Sequence, residues 1–150
     1  MGILVIQENR KARHDYQILE VFEAGLCLTG SEVKSLRERN IQFKDSYITF
    51  KGNEAWWQNA HIAEYKSSSY NNHEPGRLRK LLLHRREMDK ISSAIREKGL
   101  TCIPLRIYFK NGKAKLEIAL AKGKTKFDKR ESIKKRDAQA RIRQTLRQTR

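Results

Sequence analysis

The sequence predicts a mainly β domain of about six short antiparallel strands and two helices, followed by a basic tail. Two turn sequences, Asn111-Gly112 and Gly52-Asn53, each lie between segments of alternating apolar and polar residues, which is typical of β-hairpins. Two other segments repeat apolar residues at helical spacing. Short strands in this number favour a small closed or partly open barrel. The pattern alone does not separate a barrel from a sandwich.

Strands lie on both sides of the first helix. Residues 15–29, DYQILEVFEAGLCLT, are rich in strand-forming residues and predict one or two strands, with a bend at Gly25. The segment that follows, TGSEVKSLRER, predicts a helix, because Thr29 and Ser31 are both good N-cap residues.

The hairpin around Gly52-Asn53 turns Trp57 towards the core and Trp56 away from it. An outward tryptophan can stack on a nucleic-acid base, but it more often covers a helix, and we favour that structural role here. A bulge near Asn59 accounts for the change in side-chain parity after this hairpin.

The second helix is predicted across residues 74–99, after a polar loop at residues 66–76. Its apolar residues recur at helical spacing, and Gly99 ends it as a C′ residue. Basic residues are expected on the helix faces that the leucines leave free: Arg77, Arg79, Lys80, Arg85 and Arg86.

The last hairpin has a register that follows from its turn, because Asn and Gly both tolerate the positive φ of a two-residue turn. One face is then apolar, and the other is basic and suits an anion. The predicted pairs are Lys110 with Lys113, Phe109 with Ala114, Tyr108 with Lys115, Ile107 with Leu116, Arg106 with Glu117, and Leu105 with Ile118.

The charge balance predicts a polyanionic partner. The net charge is +16; residues 122–150 hold twelve Lys and Arg against three acids, and residues 1–121 hold 21 against 14. Both parts are basic, which favours nucleic acid or an anionic membrane. No apolar run approaches the ~18 residues that span a bilayer, and the opening MGILVIQENR is too short for a signal peptide core. We therefore expect a cytoplasmic protein that does not associate with membranes.

The chain has no motif for catalysis, metal binding or cofactor binding. It contains no HExxH, P-loop or GxGxxG pattern, and none of its four histidines forms a nucleophile motif with Ser or Cys. Cys27 and Cys102 have no CxxC partner, and both are expected as reduced core thiols. His73-Glu74 is the one adjacent base–acid pair, and it is a weak catalytic candidate. We predict no catalytic residue, no metal and no cofactor.

Basic residues interleaved with aromatic ones indicate RNA binding. The segment NRKARHDY places Arg10, Lys11, Arg13 and His14 beside Tyr16. Such patches on a small barrel are typical of proteins that bind structured or single-stranded RNA. The alternative for any single patch is a solvated basic surface.

Six sequence blocks resemble the SsrA-binding protein family, also called small protein B, in their residues and their order. They are NRKARHDY, EAGLCLTGSEVKSLR, DSYI, NHEPGRLRKLLLHRRE, PLRIYFKNGKAKLEIALAKGK and DKR, within residues 9–130. The resemblance implies a closed antiparallel barrel of the oligonucleotide-binding (OB) type with two to three flanking helices. It also implies a role in ribosome rescue (trans-translation). The protein would bind the tRNA-like domain of transfer-messenger RNA and help to deliver that RNA to stalled ribosomes.

The resemblance places the family's RNA-binding surface on Asn9, Glu23 and Leu82. Leu82 is one of three consecutive leucines in the predicted helix, which cannot bury all three on one stripe, so one is free to face outward. Charge and position add basic residues of the same blocks: Lys11, Arg13, His14, Lys34 and Lys80.

The resemblance also divides the chain into a barrel at residues 1–122 and a tail at residues 123–150. The tail has too few apolar residues to fold alone, and the resemblance implies that it becomes helical in the ribosome's vacant messenger channel, near the decoding centre. The tail motif and the residue before its triplet fall on Gly123, Lys124, Phe127, Asp128, Lys129 and Arg130. Phe127 stands where many members have His or Tyr.

Two other functions remain open at this point. A general structured-RNA-binding or ribosome-associated protein would bind unrelated structured RNAs with similar affinity. A nuclease or RNA-modifying enzyme would carry a carboxylate cluster or a metal site in its barrel. We expect the protein to be a monomer when it is bound to RNA.

Overall fold

The computed structural model describes residues 2–66 and 72–123, and this part of the chain is mainly β, with three helices. The elements in chain order are β1 (Ile3–Glu8), α1 (Arg10–Asp15), β2 (Tyr16–Leu26), α2 (Gly30–Arg37), β3 (Ile41–Gln42), β4 (Tyr47–Lys51), β5 (Glu54–Gln58), β6 (His61–Ile62), β7 (Arg79–Leu82), α3 (Arg85–Lys98), β8 (Thr101–Lys110) and β9 (Lys113–Gly123).

Seven strands form one antiparallel sheet in the order β1-β8-β9-β2-β7-β5-β4, and β3 pairs with β6 separately. Strand β2 joins the two halves of the sheet, because it pairs with β9 along most of its length and with β7 at its end. Gly25 lies at this junction, opposite both Lys115 and Leu82. Strand β4 packs against β8, so the two ends of the sheet approach each other.

The main core fills the inner face of this sheet, where α2 and α3 cover it. Trp57 of β5 is fully buried there, as predicted, and Trp56 is half-buried on the other face. The largest fully buried apolar side chains of this core are Trp57, Leu36, Ile62, Leu81, Ile91, Ile107, Leu116 and Ile118. Asn59, near which we predicted a bulge, directly follows β5 and has a φ of 70°.

The two predicted hairpins have the predicted turns. Asn111 and Gly112 have φ angles of 53° and 80°, and the five pairs nearest this turn have the expected register. In the other hairpin, Ile48 lies opposite Trp57, and Gly52 has a φ of 63°. Turn chemistry was therefore sufficient to set the register close to each turn.

The sixth pair of the last hairpin was predicted wrongly. Ile118 lies opposite Pro104 and not Leu105, because β8 has a bulge between Pro104 and Arg106. Beyond this bulge, β8 turns Ile103 and Leu105 to the face that α1 covers. A second, smaller core forms under α1 and contains Ala12, Ile103, Leu105, Ala119 and Ala121.

The long helix predicted over residues 74–99 is wrong in its first half. Leu81 and Leu82 belong to strand β7, Leu78 and Leu83 lie just outside it, and α3 begins only at Arg85. Within β7, Leu81 is buried and Leu82 is exposed, which is the two-residue period of a strand. Pairing on both sides, with β2 and with β5, outweighs the helical propensity of leucine here. Gly99 ends α3 in the left-handed region, as predicted.

The predicted count of about six strands is too low. The opening segment forms the edge strand β1, and the short strands β3 and β6 form a separate pair. The basic segment after Asn9 forms α1, a helix that the sequence did not predict. Thr29, and not Ser31, is the N-cap of α2.

The prediction of two core thiols is wrong for Cys27. Cys102 lies buried inside β8, where desolvation raises the pKa of its thiol. Cys27 is exposed and directly follows the last residue of β2, although its amide still donates to the Lys80 carbonyl at 3.1 Å.

Strand β9 ends at Gly123, where the predicted tail begins. The remaining residues assigned to the tail motif lie outside the described residues: Lys124, Phe127, Asp128, Lys129 and Arg130.

Candidate nucleic-acid interface

The sheet face that points away from the main core carries a group of charged and apolar side chains, which we call the outer face. Strand pairing places these side chains on one surface, since residues opposite each other in a sheet project to the same side. Its members are Glu23 of β2, Trp56 of β5, Lys80 and Leu82 of β7, Arg106, Tyr108 and Lys110 of β8, and Lys115 and Glu117 of β9.

Glu23 is the best-organised acceptor on the outer face. Its carboxylate accepts a short hydrogen bond from the Tyr108 hydroxyl and lies 3.5 Å from Lys110 Nζ. The Tyr108 hydrogen bond and the Lys110 charge lower the pKa of Glu23, and burial together with Glu23 raises the pKa of Tyr108. Glu23 is therefore an ionised carboxylate in a fixed orientation. Its side chain is still 37% exposed, so it retains room to accept a ligand's hydrogen bond.

Leu82 lies beside Glu23 and is the most exposed large apolar side chain of the described residues, at 55%. Its neighbour Leu81 is only 2% exposed. The expectation that one of the three leucines faces outward is confirmed, although a strand and not a helix presents it. A Cβ atom on Gly25 would lie 3.4 Å from the Leu82 Cβ atom, so glycine leaves room for this side chain.

Two arginines share the carboxylate of Glu117, which lies opposite Glu23 in the sheet. Arg13 of α1 approaches Glu117 at 3.6 Å, and Arg106 Nε lies 3.3 Å from the same Oε1 atom. The Arg106 contact is an ion pair without hydrogen-bond alignment. The Arg106 guanidinium also lies 4.9 Å from the centre of the Tyr108 ring. Two guanidinium groups beside one carboxylate leave a net positive charge, which favours the binding of a phosphate.

Lys80 and Trp56 extend the outer face across β7 and β5. They lie opposite each other, and Lys80 Nζ is 3.0 Å from Glu54. Because the lysine and the glutamate are both about half exposed, this ion pair is weak and available for exchange with a phosphate. The sequence had favoured a structural role for Trp56, and its half-buried outward position is compatible with covering the sheet or with stacking.

Asn9 does not lie on the outer face. Its side-chain oxygen accepts a hydrogen bond from the Ala12 amide at 3.2 Å, and its side-chain nitrogen donates to the Pro104 carbonyl at 2.9 Å. Its own amide donates to the Leu105 carbonyl at 2.7 Å. Asn9 is thus the N-cap that fixes α1 onto the bulge of β8.

The other predicted basic residues are not part of the outer face and have partners elsewhere. Lys11 pairs with Asp45 at 3.3 Å, and His14 approaches Asp15 at 3.0 Å. Lys34 of α2 lies 5.6 Å from the centre of the Tyr65 ring. The structure therefore brings together Arg13, Glu23, Lys80 and Leu82, and it separates them from the remaining predicted residues.

Arg79 was assigned to an exposed basic patch, and that prediction is wrong. Arg79 is fully buried, and its Nε donates to Glu32 at 2.7 Å. Arg77 donates to the other oxygen of Glu32, also at 2.7 Å. Burial acts to raise the pKa of Glu32, but hydrogen bonds from Arg77 and the Thr29 amide and the charge of Arg79 outweigh it and lower the pKa. No local sequence pattern connects residues so far apart in the chain.

His73 has a structural role as well. It is buried, its Nε2 lies 2.8 Å from the Ile62 carbonyl oxygen, and its Nδ1 lies 2.8 Å from the Ser31 hydroxyl. Since a carbonyl only accepts, Nε2 carries the proton, and in the neutral ring Nδ1 accepts from Ser31. The ring thus ties the segment before β7 to α2.

Within residues 2–66 and 72–123, no three His, Cys, Asp or Glu side chains are grouped where a metal ion could bind. No helix in the same residues is long and apolar enough to cross a membrane.

Comparisons with known proteins identify close relatives along almost the whole chain. A family model described as SmpB protein matches residues 6–148. The SsrA-binding protein of Bdellovibrio bacteriovorus is 66% identical over 149 residues, which is 99% of this chain and 98% of the relative. The SsrA-binding protein of Mycobacterium tuberculosis is 52% identical over 141 residues, covering 94% and 88% of the two chains.

A solved structure described as "tmRNA-SmpB: a journey to the center of the bacterial ribosome" contains a chain with a similar fold. The TM-score is 0.70 at 44% sequence identity, and the match covers 95% of this chain and 98% of the other.

Proposed function

This chain belongs to the SmpB family, and on that basis we propose that it is an RNA-binding adaptor of ribosome rescue and not an enzyme. It binds transfer-messenger RNA through the tRNA-like domain and promotes delivery of that RNA to stalled ribosomes. The similarity to a chain from a tmRNA-SmpB structure on the bacterial ribosome supports both partners. We place this activity in the cytoplasm, where ribosomes work, with one copy of the protein on each RNA.

The seven-stranded sheet is, in this proposal, the wall of an OB-type barrel. The approach of β4 to β8 supports closure, as does the single main core inside the sheet. OB folds bind nucleic acid on their outer strand surface and adjoining loops. The RNA-binding domain would then comprise residues 1–122.

Glu23 is the single observation that best supports specific RNA binding. An acid on a basic surface repels phosphates, so it is useful only if it accepts hydrogen bonds from a base amino group or a ribose 2′-OH. Tyr108 and Lys110 fix its orientation, and exposed Leu82 offers an apolar contact beside it. This combination favours recognition of a particular folded RNA over general attraction to phosphates.

The basic residues supply affinity in this proposal. The outer face and its edge carry Arg13, Arg106 and Lys80. The two arginines share Glu117, and Lys80 forms a weak ion pair with Glu54. Lys11, His14 and Lys34 would contact phosphates at the edges of the same RNA. Asn9 would act indirectly, because its polar atoms are used to hold α1 in place.

The tail has a second partner in this proposal, the vacant messenger channel of the small ribosomal subunit near the decoding centre. Its basic residues would occupy the place of absent messenger RNA, and the channel's phosphates would stabilise a helical form. The residues that we assign to this contact are Gly123, Lys124, Phe127, Asp128, Lys129 and Arg130.

Salt titration tests the RNA proposal. With about 4–6 phosphate contacts, log K should fall with log salt with a slope of roughly −3 to −5. We expect a preference for tRNA-like RNA over an unrelated hairpin of equal length to persist at high salt, since hydrogen bonds and shape carry it. Equal losses for the two RNAs would instead favour the general RNA-binding alternative.

Substitution of the tail triplet tests the adaptor role. Changing Asp128, Lys129 and Arg130 to alanine should leave binding to isolated transfer-messenger RNA within a few-fold and abolish peptide tagging on stalled ribosomes. The matched control changes Lys135, Arg136 and Asp137 to alanine. It removes the same number of basic and acidic side chains from the tail. Normal tagging in the first variant, or loss of tagging and RNA binding together, contradicts the two-partner proposal.

A further inference from the structure

A polar cleft lies between α1 and the connection from β3 to β4. Its volume is about 240 Å³, and its polar lining includes Lys11, Asp15, Lys44, Asp45, Ser46 and Tyr47. Helix α1 separates this cleft from the outer face. Lys11 and Asp15 line the cleft from one flank of the helix, while Arg13 reaches Glu117 on the other.

Ser46 gives the cleft an unsatisfied polar atom. The residue is only 6% exposed, and its hydroxyl is buried with no hydrogen-bond partner. The Ser46 amide donates to the Phe43 carbonyl at 3.0 Å, which fixes the backbone that carries the side chain. A buried hydroxyl without a partner destabilises a protein and is rare in native structures, so it points to a ligand that completes it.

Lys44, two residues before Ser46, has an uncommon backbone conformation. Lys44 has a φ of 50°, in the left-handed region that lysine rarely adopts. Such strain concentrates at binding sites, because the surrounding structure holds a side chain where a ligand needs it. Lys44 is one of the residues that line the cleft.

The lining suits one nucleotide of an RNA chain. Lys11 and Lys44 offer charge to a phosphate, while Asp15 and Asp45 can accept hydrogen bonds from a ribose or a base amino group. The Tyr47 ring is partly exposed for stacking, and its hydroxyl is held by Gln58 at 2.9 Å. The volume is below the roughly 300–1,000 Å³ of pockets for drug-sized ligands, which limits the occupant to a small unit.

The cleft is also accessible to an RNA that lies on the outer face. The Lys11–Asp45 ion pair joins its two walls, and both side chains are largely exposed, so the pair rearranges at little cost. Arg13 belongs to the same six-residue helix α1 that lines the cleft with Lys11 and Asp15. We propose that this cleft binds a single unstacked ribonucleotide of an RNA partner, with the Ser46 hydroxyl completing the contact. The inference rests on the proposed RNA-binding function and assigns it a second site.

Ser46→Ala is the decisive variant, because the two roles of the hydroxyl predict opposite effects. Removing an unpartnered buried hydroxyl should leave the melting temperature unchanged or raise it. It should weaken RNA binding by about three- to tenfold, the value of one hydrogen bond. Affinity is measured in two arms, with isolated tRNA-like RNA and with small ribosomal subunits. The arm that loses affinity identifies the RNA that supplies the nucleotide. Ser93→Ala on α3, a serine outside the cleft, is the control.

Lys44→Gly provides a second variant, since glycine adopts the same backbone conformation without strain. It should reduce the salt slope by about one in the arm in which Ser46→Ala loses affinity. Unchanged affinity of both variants in both arms would overturn the cleft assignment, and so would a loss of affinity that only follows a fall in melting temperature. In either case, the proposed function would still be supported if the wild type prefers tRNA-like RNA over an unrelated hairpin. Absence of that preference in the wild type would instead contradict the proposed function itself.

Discussion

Glu23 and Glu32 are both ionised carboxylates with a lowered pKa, and they occupy opposite environments. Glu32 is fully buried, and its two oxygens accept hydrogen bonds from Arg77, Arg79 and the Thr29 amide. Glu23 lies partly exposed on a sheet face and is held by Tyr108 and Lys110. A carboxylate whose acceptor sites are all used inside the protein stabilises the fold. One that is oriented but still accessible can recognise a ligand.

Glu32→Ala should produce the largest loss of stability. It leaves Arg79 buried without a counter-charge, which costs about 3–5 kcal/mol of unfolding free energy. Urea unfolding measures this loss, with Glu23→Ala as the matched exposed control. A loss below about 1 kcal/mol for Glu32→Ala would remove the distinction between the two carboxylates.

Leu81→Ala and Leu82→Ala make the same comparison with neighbouring apolar residues of β7. Leu81 is buried, so its truncation should lower the unfolding free energy by about 2–5 kcal/mol. Leu82→Ala should cost well under that and should weaken binding to tRNA-like RNA. Thermal melts and RNA titrations on the two variants separate the effects. A large fall in melting temperature for Leu82→Ala would contradict its role as an exposed RNA contact.

Acidification should affect the buried carboxylate through stability. The folded-state pKa of Glu32 is lowered from 4.5, so its contribution is fully present above that pH and is lost as the pH falls below it. Glu32→Gln should therefore show a weaker dependence of stability on pH below about 4.5 than the wild type does. Chemical unfolding at a series of pH values measures it, and an unchanged acid profile would assign the acid sensitivity to other groups.

Glu23→Gln and Tyr108→Phe should have the smallest effects on stability, about 1 kcal/mol or less. Each variant weakens or removes only the hydrogen bond between Tyr108 and Glu23, which is part-buried. Both should weaken specific RNA binding. The double variant should lose less than the sum of the two single losses, since the tyrosine acts by orienting the glutamate. Additive losses in RNA titrations would mean that the two residues contact RNA independently.

Local chemistry in the sequence was enough to predict the hairpins. The Asn111-Gly112 and Gly52-Asn53 turns fix strand register, and the alternation of side chains then assigns the inner and outer faces. The same logic fails at Leu105, because β8 has a bulge that begins at Pro104, a residue without an amide to donate to the neighbouring strand.

The errors at β7 and Arg79 have a different cause. Three leucines beside basic residues satisfy a helical pattern and a strand pattern equally well over so short a segment. Strand β7 is selected by its neighbours, β2 and β5, and Arg79 is buried because Glu32 lies 47 positions away in sequence and next to it in space. Likewise, the sequence drew attention to Glu23 only through a family resemblance, since its partner Tyr108 lies 85 positions away.

The small second core under α1 has a consequence for the order in which the protein opens. Of the five side chains that form it, three are alanines, so it buries far less apolar surface than the main core does. Helix α1 should therefore detach while the sheet stays folded, and its amide protons should exchange with solvent earlier than those of β8 and β9. If RNA spans α1, binding closes this local opening and slows that exchange. The helix that carries Arg13 and Lys11 would then become fully ordered only in the complex.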